Sequence, residues 1–224
     1  MNAKQKKMLI GVAAIVIVVA MVVVAGCGIF RGFNAEQYVS VVLAQNLKGE
    51  VKSAVKMTKG LTEEEAKQQY EATISSFVKS MTPTGLELTK EQEKKSVETA
   101  KKIFDAMKYE VQEAEKISDD EYKVPVKYQP TDVFAKLQSL AEKESVRLTE
   151  KMQKGEYRGT TEEINKKMQD EFASNFPTML EEAYKTMEYK EEQTMDLVVK
   201  KGESGLYILD GTQTSEFIKK IIGF

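Results

Sequence analysis

Val97 to Met107 followed by Lys108-Tyr109-Glu110-Val111, and then Glu121-Tyr122-Lys123-Val124-Pro125-Val126-Lys127-Tyr128-Gln129, is where the apolar period of this chain changes. Up to Met107 the period is helical. Val97, Ala100, Ile103, Phe104 and Met107 fall on one face of a 3.6-residue repeat. From Tyr109 the period drops to two. Tyr109 and Val111, and then Tyr122, Val124, Val126 and Tyr128, alternate with polar residues. Ser118-Asp119-Asp120 supplies a turn between the runs, so a β-hairpin is expected. Pro125 has no N–H to offer a neighbouring strand. Its strand is therefore expected to lie at a sheet edge or to carry a bulge.

The same succession returns downstream. Val133, Phe134, Leu137, Leu140, Ala141 and Leu148 share a helical face. Thr160 to Glu163 reads as a capping box, and Ile164, Met168, Phe172 and Phe176 continue at helical spacing until Pro177, which is expected to kink or restart the helix. Met195, Leu197 and Val199, a turn at Gly202 to Gly205, and Leu206 to Leu209 form a second hairpin pattern. Asp210 can cap a last helix carrying Phe217, Ile218, Ile221 and Ile222. Ala106-Met107-Lys108-Tyr109-Glu110 and Thr186-Met187-Glu188-Tyr189-Lys190 each close a helical stretch and open a hairpin, a hint of internal duplication.

Upstream, Asn34 caps a helix with Tyr38, Val41, Val42 and Leu47 on its apolar side, interrupted at Lys48-Gly49-Glu50. Thr62 with Glu65, and Thr89 with Gln92, are spaced as capping boxes. The glutamates at 63–65 are then accounted for by the positive end of a helix dipole, not by chemistry. Four amphipathic strands cannot bury their own apolar faces. The expected fold is α+β, with amphipathic helices packed on an antiparallel sheet made of two hairpins.

Composition excludes several functions. The chain has no histidine and one cysteine, Cys27. Without histidine there is no Ser-His-Asp set and no common zinc ligand. No phosphate loop or calcium loop is visible. The full chain carries 33 basic and 35 acidic residues. Residues 1–26 hold three of the lysines and no acid, so the remainder has 30 against 35, a charge of −5. Such a surface does not suit nucleic acid. Neither a metal nor another cofactor is expected.

Lys4, Lys6 and Lys7 precede an uncharged apolar run from Met8 to Gly26. That is the pattern of a targeting segment. It closes on Val24-Ala25-Gly26-Cys27, which resembles the lipobox of bacterial lipoproteins. The resemblance implies cleavage before Cys27 and a diacylglycerol on its sulfur. An uncleaved anchor remains the alternative, since the run is just long enough to span a bilayer. Either topology keeps the lysines inside and the rest outside. Residues 1–26 then form the signal, 27–33 a short tether, and 34–224 an extracytoplasmic domain at the cell membrane. Phe33-Asn34-Ala35-Glu36-Gln37-Tyr38-Val39, Thr62-Glu63-Glu64-Glu65 and Lys108-Tyr109-Glu110-Val111 make the mature part similar to a family of Gram-positive lipoproteins known only as a domain of unknown function. That likeness implies no activity.

The expected role is that of a non-catalytic binding or interaction module of the cell envelope, with the membrane as one partner and a protein or small ligand as another. Tyr109, Tyr122, Tyr128, Tyr189 and Tyr207 lie on or beside the strands. They could line a groove for a small molecule or peptide, or pack in the core with their hydroxyls at the rim. A hydrolase using a carboxylate pair is the remaining reading, but nothing marks one pair among 35 acids.

Overall fold

The computed structural model describes residues 33–224 apart from Lys59 and Ser204. The described residues form seven α-helices and five strands. In chain order these are α1 (Ala35–Leu43), a π-helical turn (Ala44–Lys48), α2 (Val51–Met57), α3 (Glu63–Met81), α4 (Lys90–Asp105), β1 (Lys108–Val111), β2 (Glu115–Ser118), β3 (Glu121–Gln129), α5 (Val133–Gln153), α6 (Thr161–Thr186), β4 (Gln193–Lys201), β5 (Tyr207–Leu209) and α7 (Gly211–Ile221).

The helix starts obey local rules. Thr62, Thr89 and Thr160 each accept from the backbone N–H three residues on, and Glu65, Gln92 and Glu163 reach back to the cap, closing three capping boxes. Asn34 and Asp210 cap α1 and α7. Each such cap stabilises its helix by about 1 kcal/mol. Pro177 does not end its helix: α6 runs through it to Thr186, and the ring is buried. Packing of that face outweighs the one lost backbone bond.

All strand pairs are antiparallel, in the order β1-β3-β4-β5, with β2 also on β3. The hairpins join through their inner strands, Glu121↔Lys200 to Tyr128↔Gln193. β3 is thus an interior strand, which corrects the edge position expected for Pro125. Nor does β3 carry the bulge: the extra residue lies in the strand opposite it. β1 and β2 are one strand broken at Gln112–Ala114, with the register moving one residue between Val111↔Val126 and Glu115↔Lys123. Gln112 donates to the Pro125 carbonyl at 2.9 Å, and Pro125 has no N–H to return.

One sheet face carries Val124, Val126, Tyr128, Leu197, Val199 and Leu209, all buried beneath the helices. The other face presents Lys123, Pro125, Lys127, Val198 and Ile208, all half-buried. Phe77 of α3 meets Phe104 of α4 edge-on at 4.9 Å, and Phe217 of α7 sits 5.2 Å from Tyr128. Met81, Met107, Met168 and Met179 are buried in the same core.

The order helix, helix, hairpin occurs twice, as α3-α4-β1-β2-β3 and α5-α6-β4-β5. The two matched sequence stretches take different conformations. Lys108 opens β1 directly, whereas Tyr189 makes an isolated bridge to Thr131 and β4 begins only at Gln193.

Candidate functional site

The five strand-associated tyrosines fall in three places. Tyr122 and Tyr207 meet edge-on at 5.7 Å where the hairpin turns lie. Phe33 stacks on Tyr207 at 3.8 Å and 9°, and lies 5.5 Å from Tyr122 and 5.7 Å from Tyr38. The Tyr207 hydroxyl donates to the Asp119 carbonyl at 3.2 Å, tying one hairpin tip to the other strand pair. Tyr109 and Tyr128 instead flank Phe217, at 6.4 and 5.2 Å. Burial, with help from Glu50, pushes the Tyr109 hydroxyl up to about 12. Tyr189 stands apart: its hydroxyl donates to the Ala106 carbonyl at 2.8 Å and the Lys108 ammonium sits 3.7 Å above its ring. Tyr122 and Tyr207 pack on Phe33, and Tyr109 and Tyr128 on Phe217, so as placed these four rings fill space.

Sequence patterning missed a polar cluster between α5 and α6. Glu171 accepts from Lys151 at 2.8 Å, from the Tyr157 hydroxyl at 2.6 Å and from Arg147 at 2.6 Å. Arg147 also grips Glu144 through two bonds at 2.7 and 2.8 Å, and Asn175 donates to Glu144 at 2.8 Å. The Lys151 hydrogen bond, then that of Tyr157 and then that of Arg147, hold the Glu171 carboxyl down to about 2 despite its partial burial. Burial, then the bond to Glu171, pushes the Tyr157 hydroxyl well above its ordinary range. A carboxylate held so low and ringed by three donors is fixed as an anion at neutral pH. It suits a clamp between two helices, whereas a general acid needs the opposite shift. The only sequence signal was Arg147 and Lys151 at i and i+4, which also suits an ordinary solvated face.

A shallow crevice of about 600 Å³ lies between the α3–α4 loop and the first turns of α6. Gly85, Glu87, Thr161, Glu162, Asn165, Lys166, Gln169 and Asp170 line it. All of its lining residues but Gly85 carry polar or charged side chains and its mouth is wide, unlike the enclosed pockets that hold small molecules tightly. Among the described residues no group of three or more His, Cys, Asp or Glu side chains is placed to hold a metal ion. No described helix is long and apolar enough to cross a membrane. Val24, Ala25, Gly26 and Cys27, the expected cleavage and lipid-attachment residues, lie outside the described residues.

The chain matches no protein-family model and no curated protein, so the family resemblance stands on the quoted motifs alone. Among solved structures it is similar to a candidate lipoprotein of Bacillus subtilis, YcdA, at 16% identity and a TM-score of 0.48. The match takes in 83% of this chain and 55% of that one.

Proposed function

We propose that this protein is a lipid-anchored lipoprotein on the extracytoplasmic face of the cell membrane, acting there as a non-catalytic binding or interaction module. The observation that carries the reading is the lysine-led apolar segment closing on Val24-Ala25-Gly26-Cys27, six residues before Phe33, the first described residue. Diacylglycerol would supply two acyl chains, enough for stable attachment where one chain is marginal. The non-catalytic part is supported by composition: the chain has no histidine, and its one cysteine, Cys27, is assigned to lipid.

Ligand binding is a second reading. The crevice beside Gly85 and Asn165 favours it more than the tyrosines do, because it is open to solvent and lined by donors and acceptors.

The test is metabolic labelling with radioactive palmitate. Wild type should take up label and fractionate with membranes, and Cys27→Ser should remain an unlabelled precursor. Equal labelling of both would contradict the anchor. The purified domain, screened against peptide, ester, phosphate and glycoside substrates, should turn over none of them. A turnover abolished by a single Glu or Asp substitution with the fold intact would contradict the non-catalytic part.

A further inference from the structure

We infer that the end of the sheet carrying the two hairpin tips is the surface that meets the lipid bilayer, with Ile117 as its apolar contact. The inference rests on the lipid attachment proposed above and adds which residues face the membrane. Its starting point is Phe33. That side chain is held at the tip end by stacking on Tyr207 and by contact with Tyr122 and Tyr38. The chain that leads back to Cys27 is therefore joined to the described domain there. Gly28 to Phe33 reach about 20 Å at full extension. The tip end cannot move further than that from an acyl chain on Cys27.

The opposite end is well separated. From Glu121 at the tip to Thr131 beyond the end of β3, the backbone rises about 33 Å. Phe224 lies at that far end: Thr131 donates to the Ile221 carbonyl at 3.0 Å, Gly223 packs against the Thr131 carbonyl, and the Phe224 ring is 4.5 Å from Phe134. Both ends carry an exposed apolar side chain, Ile117 at 51% and Phe224 at 46%. Only the Ile117 end is within reach of the tether while the domain stands upright. A domain lying flat would bring both ends to lipid.

The chemistry of the tip suits a neutral interface. Its lysines are each matched by an acid: Lys116 with Asp119 at 2.7 Å, Lys123 with Glu115 at 2.6 Å, Lys200 with Glu121 at 3.5 Å and Lys201 with Asp120 at 3.3 Å. Among the described residues the tip shows no uncompensated positive patch to seek anionic headgroups. What remains is an isoleucine on a strand whose residues are all exposed, left unpaired where the register with β3 shifts between Lys116 and Ser118.

The experiment uses the full lipidated protein, purified from membranes and reconstituted in phosphatidylcholine vesicles. A thioether-linked Cys27 leaves no free thiol, so Ile117→Cys and Phe224→Cys each offer a single site for an environment-sensitive fluorophore. Wild type taken through the same labelling reports whether Cys27 is blocked. The probe at 117 should shift to shorter wavelength and be quenched by lipids spin-labelled near the headgroup. The probe at 224 should do neither, and 30% phosphatidylglycerol should change neither result. Unquenched probes at both positions on protein that floats with the vesicles would overturn the orientation while leaving the anchor intact. Equal quenching at both would replace the upright domain by a flat one, and quenching confined to anionic vesicles would overturn the apolar contact. Labelling of wild type at Cys27, with no flotation, would overturn the anchor and the orientation together.

Discussion

The hydroxyl of Tyr38 accepts a hydrogen bond at 3.2 Å from the backbone N–H of Leu209. The first helix thereby seals the free edge of the last strand. In β5 the register Lys200↔Ile208 and the bond from Asp210 to the Val198 carbonyl turn the N–H of Leu209 away from β4. An open strand edge is a template for unwanted pairing. Here a buried phenol covers it, and burial raises the pKa of that hydroxyl above its ordinary value. Tyr38→Phe keeps the ring and leaves the N–H unpaired. It should cost about 1–2 kcal/mol by urea unfolding and speed hydrogen exchange at Leu209. An unchanged Leu209 exchange rate would contradict this role.

Gly49 closes the π-helical turn with φ +65°, and a Cβ there would lie 2.8 Å from the Tyr70 ring. Gly60 has φ +86° with no atom within 4 Å of a Cβ. Gly60→Ala should therefore show the conformational cost alone, about 1 kcal/mol. Gly49→Ala should cost clearly more, because the ring must also move. Equal losses in urea midpoint would show that Tyr70 yields freely.

Glu171 has a folded pKa of about 2, below its unfolded value. Its contribution is present above the unfolded pKa and fades as pH falls from about 4.5 toward 2. Glu171→Gln should destabilise by about 1 kcal/mol at pH 7, since its partners Arg147 and Lys151 are partly exposed. The gap to wild type should narrow as pH falls from 5 to 3. A gap that stays constant over that range would mean that the clamp is not electrostatic.

The three threonine caps were legible in the sequence because each is a contact between residues three apart. Thr62→Ala, Thr89→Ala and Thr160→Ala should each lose about 1 kcal/mol in chemical unfolding. The two hairpins were legible for a similar reason: alternation and turn residues sit side by side in the chain. β2 was not, because Glu115 to Ser118 bury neither face and so carry no alternation. The π-helical turn was not, since one extra residue per turn leaves composition unchanged. The joining of β3 to β4 pairs residues about 65 to 80 positions apart in sequence. No local pattern specifies it, and it is this pairing that sets Pro125 in an interior strand. The separation of the tyrosines follows from the same fact. Tyr109 sits opposite Tyr128, whereas Tyr122 sits opposite Val199, whose other neighbour is Leu209 in the strand of Tyr207. The Glu171 cluster depends on how α5 crosses α6, which the spacing of Arg147 and Lys151 alone does not give.

Central to the account is a folded domain held at the outer membrane surface through Cys27. Mass spectrometry of the N-terminal peptide, from protein extracted out of the membrane fraction, tests this most directly. The account requires that peptide to begin at Cys27, carry a diacylglyceryl group on Sγ, and include nothing of residues 1–26. A peptide retaining Val24-Ala25-Gly26 ahead of an unmodified Cys27 would contradict it and leave the apolar segment as a plain transmembrane anchor.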